Sequence, residues 1–174
     1  MSKYAVRPTG RESLFREGEL IVSKTDLKGR ITYCNDVFRR IAGFTEEELL
    51  GAPHSIIRHP DMPRCVFKLL WDTIEAKGEI FAYVINLAKN GDHYWVLAHV
   101  TPTLDAKGNI VGYHSNRRKP RPEAVAAAAG LYRELKAIED APSSRKEGMQ
   151  EAYAHFIDLL AKKGVSYDRF LFSL

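Results

Sequence analysis

Apolar positions in this chain change period from two to about 3.6 and back, and those changes mark its elements. Residues 19–23 and 30–34 are short runs rich in β-branched residues, separated by Asp26, Lys28 and Gly29, the pattern of a hairpin. In residues 35–41, Val37, Phe38 and Ile41 share one helical face, and Gly43 follows as a stop. Thr45 followed by Glu46, Glu47 and Glu48 is an N-cap with an acidic first turn, so a second short helix runs to Leu50. Pro63 opens a longer amphipathic helix over 64–77, with Val66, Phe67, Leu69, Leu70, Trp71 and Ile74 on its apolar side and Gly78 beyond it. Strand periodicity returns in 80–87 and 93–104 around the Asn90–Gly91 turn, then in 110–115 after a turn at 105–109. The order predicts an α+β fold: a five-stranded antiparallel sheet with short helices over one face.

The ends read differently. Residues 1–18 form a polar cap segment in which 13–15 suit a short lead-in helix. Residues 117–122 read as a basic linker leaving the core unit, 19–121. Beyond it, 122–174 is a helical extension. One helix is expected over 123–139, striped by Leu131, Leu135 and Ile138, and one over 145–163, striped by Met149, Tyr153, Phe156 and Leu160. Such helices pair with each other, with a second copy, or with a helix of a partner.

Composition narrows the class. With 45% hydrophobic and 28% charged residues in 174, the chain has the proportions of a folded globular protein. The net charge of +4 is spread along the sequence, so no nucleic-acid partner is expected. No apolar run approaches the roughly 18–20 residues of a membrane span, and residues 1–4 carry no apolar signal region, so a cytoplasmic location is expected. Cys34 and Cys65 lack metal-ligand spacing, and no metal is expected. Nucleophile-elbow, phosphate-loop and zinc-protease motifs are missing, so no catalytic residues are assigned and an enzyme is not expected.

Functional atoms concentrate in 53–63, which holds His54, Arg58, His59 and Asp61 between prolines. An arginine fork grips phosphate oxygens, a histidine donates from one ring nitrogen, and a carboxylate fixes that ring or accepts from a sugar. The plainer reading is a loop that hydrogen-bonds itself. Val66, Leu69, Leu70 and Trp71, with Val84, Trp95 and Leu97, suit either the walls of a pocket or simple core. Asn86 brings an amide that both donates and accepts. His99 and His114, on strands, are candidate ligands for a heme.

The two opening strands with Asn35, and the stretch Gly43-Phe44-Thr45 through Glu48-Leu49-Leu50-Gly51, resemble PAS domains. The 53–63 loop and the 89–96 hairpin narrow the likeness to the flavin-binding PAS domains of bacterial aerotaxis receptors, across residues 20–121. The tail, with Gly164-Val165-Ser166-Tyr167-Asp168, is similar to the stand-alone PAS proteins of bipartite energy-taxis systems. This resemblance implies FAD as cofactor, held by His54, Arg58, His59, Asp61, Trp71, Asn86 and Trp95. It also implies a redox, oxygen or energy-state sensor whose partner is a membrane-bound chemoreceptor or other signalling protein. That partner would hold the chain at the inner membrane, and homodimers through the PAS unit or the C-terminal helices are a further expectation. Ile80 stands where the pattern has a tryptophan, six residues before the asparagine. A heme-binding PAS gas sensor and a cofactor-free interaction module are the alternatives. Cys34 and Cys65 lie in the wrong segments for the cysteine of photoreactive flavin domains.

Overall fold

The computed structural model describes residues 6–174, so the first five residues of the expected cap segment lie outside it. Five strands form one antiparallel sheet: β1 (Ile21–Thr25), β2 (Ile31–Cys34), β3 (Ile80–Leu87), β4 (His93–Leu104) and β5 (Ile110–Arg118). Their order is β2-β1-β5-β4-β3, so the last strand lies at the centre, beside the first. Register places Ser23 opposite Ser115 and Ile21 opposite Arg117. β5 therefore runs past residue 115, and the expected basic linker is in part a central strand.

Between β2 and β3 lie α1 (Asp36–Ala42), α2 (Glu46–Leu49), a 3₁₀ turn (His54–Ile57) and α3 (Arg64–Glu75). Asn35 locks the first corner. Its Oδ1 accepts the Val22 and Phe38 amides, each at 3.0 Å, and its Nδ2 donates to the Leu20 carbonyl at 2.8 Å. One side chain thus caps α1 and fixes it to β1. The Thr45–Glu48 capping box starts α2.

Residues 13–15 are not helical. β5 ends opposite Leu97, leaving the first residues of β4 unpaired on that side. The N-terminal segment fills the gap: His93 donates to the Arg11 carbonyl at 2.9 Å and accepts the Ser13 amide at 2.7 Å. A three-residue helix closes too few hydrogen bonds to compete with this pairing, and Phe15 is buried in the core.

The extension consists of α4 (Pro122–Asp140), α5 (Arg145–Lys163) and α6 (Tyr167–Phe172). These helices pack on the outer face of the sheet, where alternation has placed Phe81, Tyr83, Ile85, Trp95 and Leu97. The Tyr132 hydroxyl donates to the Tyr83 carbonyl, and that of Tyr167 to the Phe81 carbonyl at 2.7 Å. The helix α6, capped by Ser166, lies beyond the two helices expected in the extension. Its Phe172 ring meets the Phe81 ring edge-on.

Candidate functional site

A cavity of about 280 Å³ lies between the inner sheet face, α3 and the 3₁₀ turn, close to the lower bound of small-molecule sites. The helix contributes Phe67, Leu70, Trp71 and Ile74, and the strands contribute Val84, Ala98, Val100 and Tyr113 as further apolar wall. Trp71 stands edge-on to Tyr113 at 5.3 Å. Its indole also closes on Gly29, where a Cβ would come within 3.4 Å of the ring. That turn residue has φ +74, so glycine meets both the left-handed backbone and the close approach.

The polar lining is one-sided. Lys28, Arg58 and Arg117 line the cavity with His54, and no aspartate or glutamate among the described residues lines it. Arg117 is only 2% exposed. One guanidinium nitrogen donates to Ser23 Oγ at 2.6 Å, another to His54 Nε2 at 3.4 Å, and the group lies 4.5 Å from the centre of the Phe38 ring. Its Nε has no hydrogen-bond partner among the described residues. Burial pushes its pKa down to about 10, so it stays charged at neutral pH. Ser23 Oγ also lies 3.0 Å from His54 Nε2, so the hydroxyl and the Arg117 guanidinium converge on one ring nitrogen. That imidazole is neutral: burial first, then the charges of Arg117 and Arg58, push its pKa down to about 3.

The loop that follows is fixed by the sheet edge. Arg58 pairs through its backbone with Asn86 of β3, and its guanidinium lies over the Phe67 ring at 4.1 Å. Burial lowers the Arg58 pKa. Asn86 is 4% exposed and its Nδ2 has no hydrogen-bond partner among the described residues. Tyr94, directly across the strands from Asn86, also carries an unpartnered buried hydroxyl.

Of the residues singled out in the sequence, His54, Arg58, Trp71 and Asn86 come together on this cavity. His59, Asp61 and Trp95 stand outside its lining. His59 is buried within its own loop; its Nδ1 accepts the Asp61 amide at 3.1 Å and its ring meets His93 edge-on at 6.0 Å. Burial lowers its pKa, partly offset by Asp61, whose side chain is 79% exposed and 3.8 Å away. Trp95 pairs with Ile85 across the strands and so points to the outer face, where it stacks on Tyr132 at 6.0 Å. As wall candidates, Val66, Leu69 and Leu97 also lie outside the lining.

His99 is on the outer face as well, stacked on Phe81 at 4.1 Å and bonded to Glu79. His114, between Tyr113 and Ser115 and opposite Lys24 and Thr101, alternates to that outer face as well and borders the cavity only along its strand. Both cysteines are buried away from it, and burial pushes Cys65 up to about 12. Ile80 sits in an aliphatic cluster with Leu70, Ile74 and Val100. Arg117 was missed because its neighbours Arg118 and Lys119 make a solvated run. The spacing of Tyr113, Ser115 and Arg117 at period two is the signal that would have found it.

The family model described as the PAS fold matches residues 31–117, from β2 to Arg117. The chain belongs to the PAS family. Over 118 residues this PAS chain is 44% identical to the aerotaxis receptor of Escherichia coli (strain K12), a match covering 67% of the chain and 23% of the receptor. It is 26% identical over 106 residues to the nitrogen fixation regulatory protein of Klebsiella pneumoniae, covering 61% of the chain and 21% of that protein. The matched part thus spans under a quarter of either relative. Among solved structures, the dark state of the blue-light photoreceptor Aureochrome1 LOV superposes with a TM-score of 0.55 at 25% identity, over 68% of this chain and 86% of that one. A light-oxygen-voltage domain from a flavin-analogue study shares the fold at a TM-score of 0.58 and 17% identity, over 68% and 88%.

Proposed function

We propose that the cavity holds FAD and that this PAS domain is a redox, oxygen or energy-state sensor. It signals by protein–protein contact to a membrane-bound chemoreceptor in aerotaxis or energy taxis. The observation that carries the reading is the carboxylate-free cavity, apolar on its walls, with cations around it and a buried amide left unpaired at Asn86. The residues present fit the group. Leu70, Trp71, Val84 and Ala98 provide walls for a flat ring, Asn86 provides an amide for its polar edge, and Arg58 provides a fork for phosphate. His59 and Asp61 belong to the same proposal as residues of the loop that presents Arg58, and Trp95 as support behind β4. The similarity to the aerotaxis receptor favours a signalling role over a catalytic one.

A bound flavin supplies reversible electron transfer accompanied by a change of hydrogen-bonding character at its ring edge. The chain's own contribution is an amide that presents donor or acceptor at nearly the same shape, since its Nδ2 is held by nothing else. A donor facing a donor in a buried site costs about 1–3 kcal/mol, so the orientation of Asn86 follows the edge opposite. β3 carries Asn86 inward, while the Tyr83 and Phe81 carbonyls hold Tyr132 and Tyr167 of the extension. Reorientation of Asn86 therefore acts on the strand that anchors α4 and α6. No helix of the described residues is long and apolar enough to cross a membrane, and the receptor's membrane would place the domain at the inner cytoplasmic surface.

The visible spectrum of the purified protein tests the reading. The two-band spectrum of oxidised flavin is expected, with FAD identified by mass spectrometry of the heat-released ligand. A single sharp Soret band would assign the cavity to heme, and a featureless trace would leave an interaction module. Asn86→Ala is expected to retain flavin while abolishing the oxidised-versus-reduced difference in amide exchange along residues 80–97. A variant that switches like the parent would exclude the amide as relay.

A further inference from the structure

The residues expected to grip phosphate were Arg58, His59 and Asp61, yet only Arg58 lines the cavity. His59 Nδ1 is committed to the Asp61 amide. The lining offers a different second cation, from a different part of the chain. Lys28 lies in the β1–β2 turn, is exposed, and is in no ion pair among the described residues.

The turn that carries it is rigid. Asp26 Oδ1 accepts the amides of Lys28 and Arg30, each at 2.9 Å, and the Gly29 amide donates to the Asp26 carbonyl at 3.1 Å. The turn is also tied to the loop that presents Arg58: the His54 amide donates to the Gly29 carbonyl at 2.9 Å, and Arg30 bridges to Pro53. From His54 the 3₁₀ turn leads directly to Arg58, whose amide donates to the Ser55 carbonyl at 3.0 Å. Lys28, Ser55 and Arg58 thus belong to two hydrogen-bonded segments that bound one cavity. Charges held this way gain from an anion between them without repulsion from any carboxylate in the lining.

We propose that Lys28 is a phosphate-binding residue, forming with Arg58 a two-armed clamp for the phosphate groups of a ligand whose ring system fills the cavity. This rests on the flavin reading for the identity of the ring. The ammonium acts as a point charge beside the directional fork of Arg58, and its grip weakens with ionic strength.

The test is reconstitution of ligand-free protein with riboflavin, FMN and FAD, followed by flavin fluorescence. Lys28→Gln is expected to weaken FAD and FMN by about three- to fivefold, the scale of an exposed ion pair, and to leave riboflavin unchanged. Lys28→Arg is expected to restore the loss, and added salt to shrink the difference between parent and Lys28→Gln. Equal weakening of all three flavins would overturn the proposal, because Lys28 would then be shaping the cavity. Unchanged affinity for all three would overturn it as well. A parent protein that takes up none of the flavins would sink the flavin reading. The clamp would then be decided by titration with inorganic pyrophosphate at low salt, where parental amide shifts at Lys28, Gly29 and Ser55 support it and their absence overturns it.

Discussion

A neutral histidine beside a buried arginine makes the protein sensitive to acid. His54 has a folded pKa of about 3 against an ordinary 6.5, set by burial and by the Arg117 and Arg58 charges. Between those values the unfolded chain binds a proton that the folded chain refuses. Stability is therefore full above pH 6.5 and falls as pH drops toward 3, at no more than about 1.4 kcal/mol per pH unit. His59, also depressed by burial, adds in the same direction. Because His54 is only half-buried, solvent screens part of the effect, and about 2 kcal/mol should be lost between pH 6.5 and 4. Urea unfolding at both pH values checks this, and His54→Gln should flatten the loss to the share of His59 and the carboxylates. An undiminished loss in the variant would place the acid sensitivity elsewhere. Neither Arg117 nor the neutrality of His54 was legible in the sequence. A charged residue reads as solvated unless its partners are known, and Ser23 and Phe38 are remote from Arg117 along the chain.

At the scale of elements, one helix is completed by another. α3 opens at Pro63 with no side-chain cap of its own. The cap comes from the end of α4. Glu139, 1% exposed, accepts the Cys65 amide on Oε1 at 2.8 Å and the Arg64 Nε on Oε2 at 3.2 Å. Arg64 in turn donates to the carbonyls of Glu139 and Arg145, closing the α4–α5 turn. Glu139→Ala leaves the Cys65 amide without its acceptor and the Arg64 guanidinium with its carbonyl partners alone, so a loss of about 2–3 kcal/mol in urea unfolding is expected. Glu139→Gln, which keeps an acceptor, should lose clearly less. Gly148→Ala should also destabilise, since its Cβ would collide with the Glu139 carbonyl where α5 crosses α4. Equal stability of all three variants with the parent would show that the α4–α5 corner does not hold α3. The helices α3, α4 and α5 were legible from their apolar period, and α5 also from its stop at Gly164. The buried stripe of α4 was not: it is Ala124, Ala128, Tyr132, Leu135 and Glu139, with Leu131 and Ile138 only half-buried. Small alanines let the helix lie close to its neighbours, and a search for large apolar side chains passes over them.

For the whole molecule, the cavity and its cover come from different parts of the chain. Every residue that lines the cavity lies between Ser23 and Arg117, before the extension begins. The extension nevertheless shares the main core: Ala128, Tyr132, Leu135, Phe156, Leu160 and Leu171 pack in one cluster with Tyr83, Ile85 and Trp95. The alternation of β3 and β4 explains both facts, since each strand turns one row of side chains to the cavity and the other to the helices. Truncation after Arg121 would therefore keep the ligand-facing row and bare the helix-facing row. An exposed patch containing Tyr83, Phe81, Ile85 and Trp95 is the kind of surface that recruits a partner or a second copy. The expected outcome is a lower unfolding temperature, a mass above the monomer by light scattering and, on the proposed reading, flavin retained in the molecules that stay folded. A truncated chain that remained monomeric at the parental unfolding temperature would show that the extension buries nothing the core needs. In the parent chain the same surface is already occupied, so any partner that contacts it must first displace α4 and α6. That makes the Tyr132–Tyr83 and Tyr167–Phe81 hydrogen bonds the contacts whose loss would report signalling. Tyr132→Phe with Tyr167→Phe should raise amide exchange in α4 and α6 in the oxidised protein. Unchanged exchange would mean that apolar packing alone holds the extension in place.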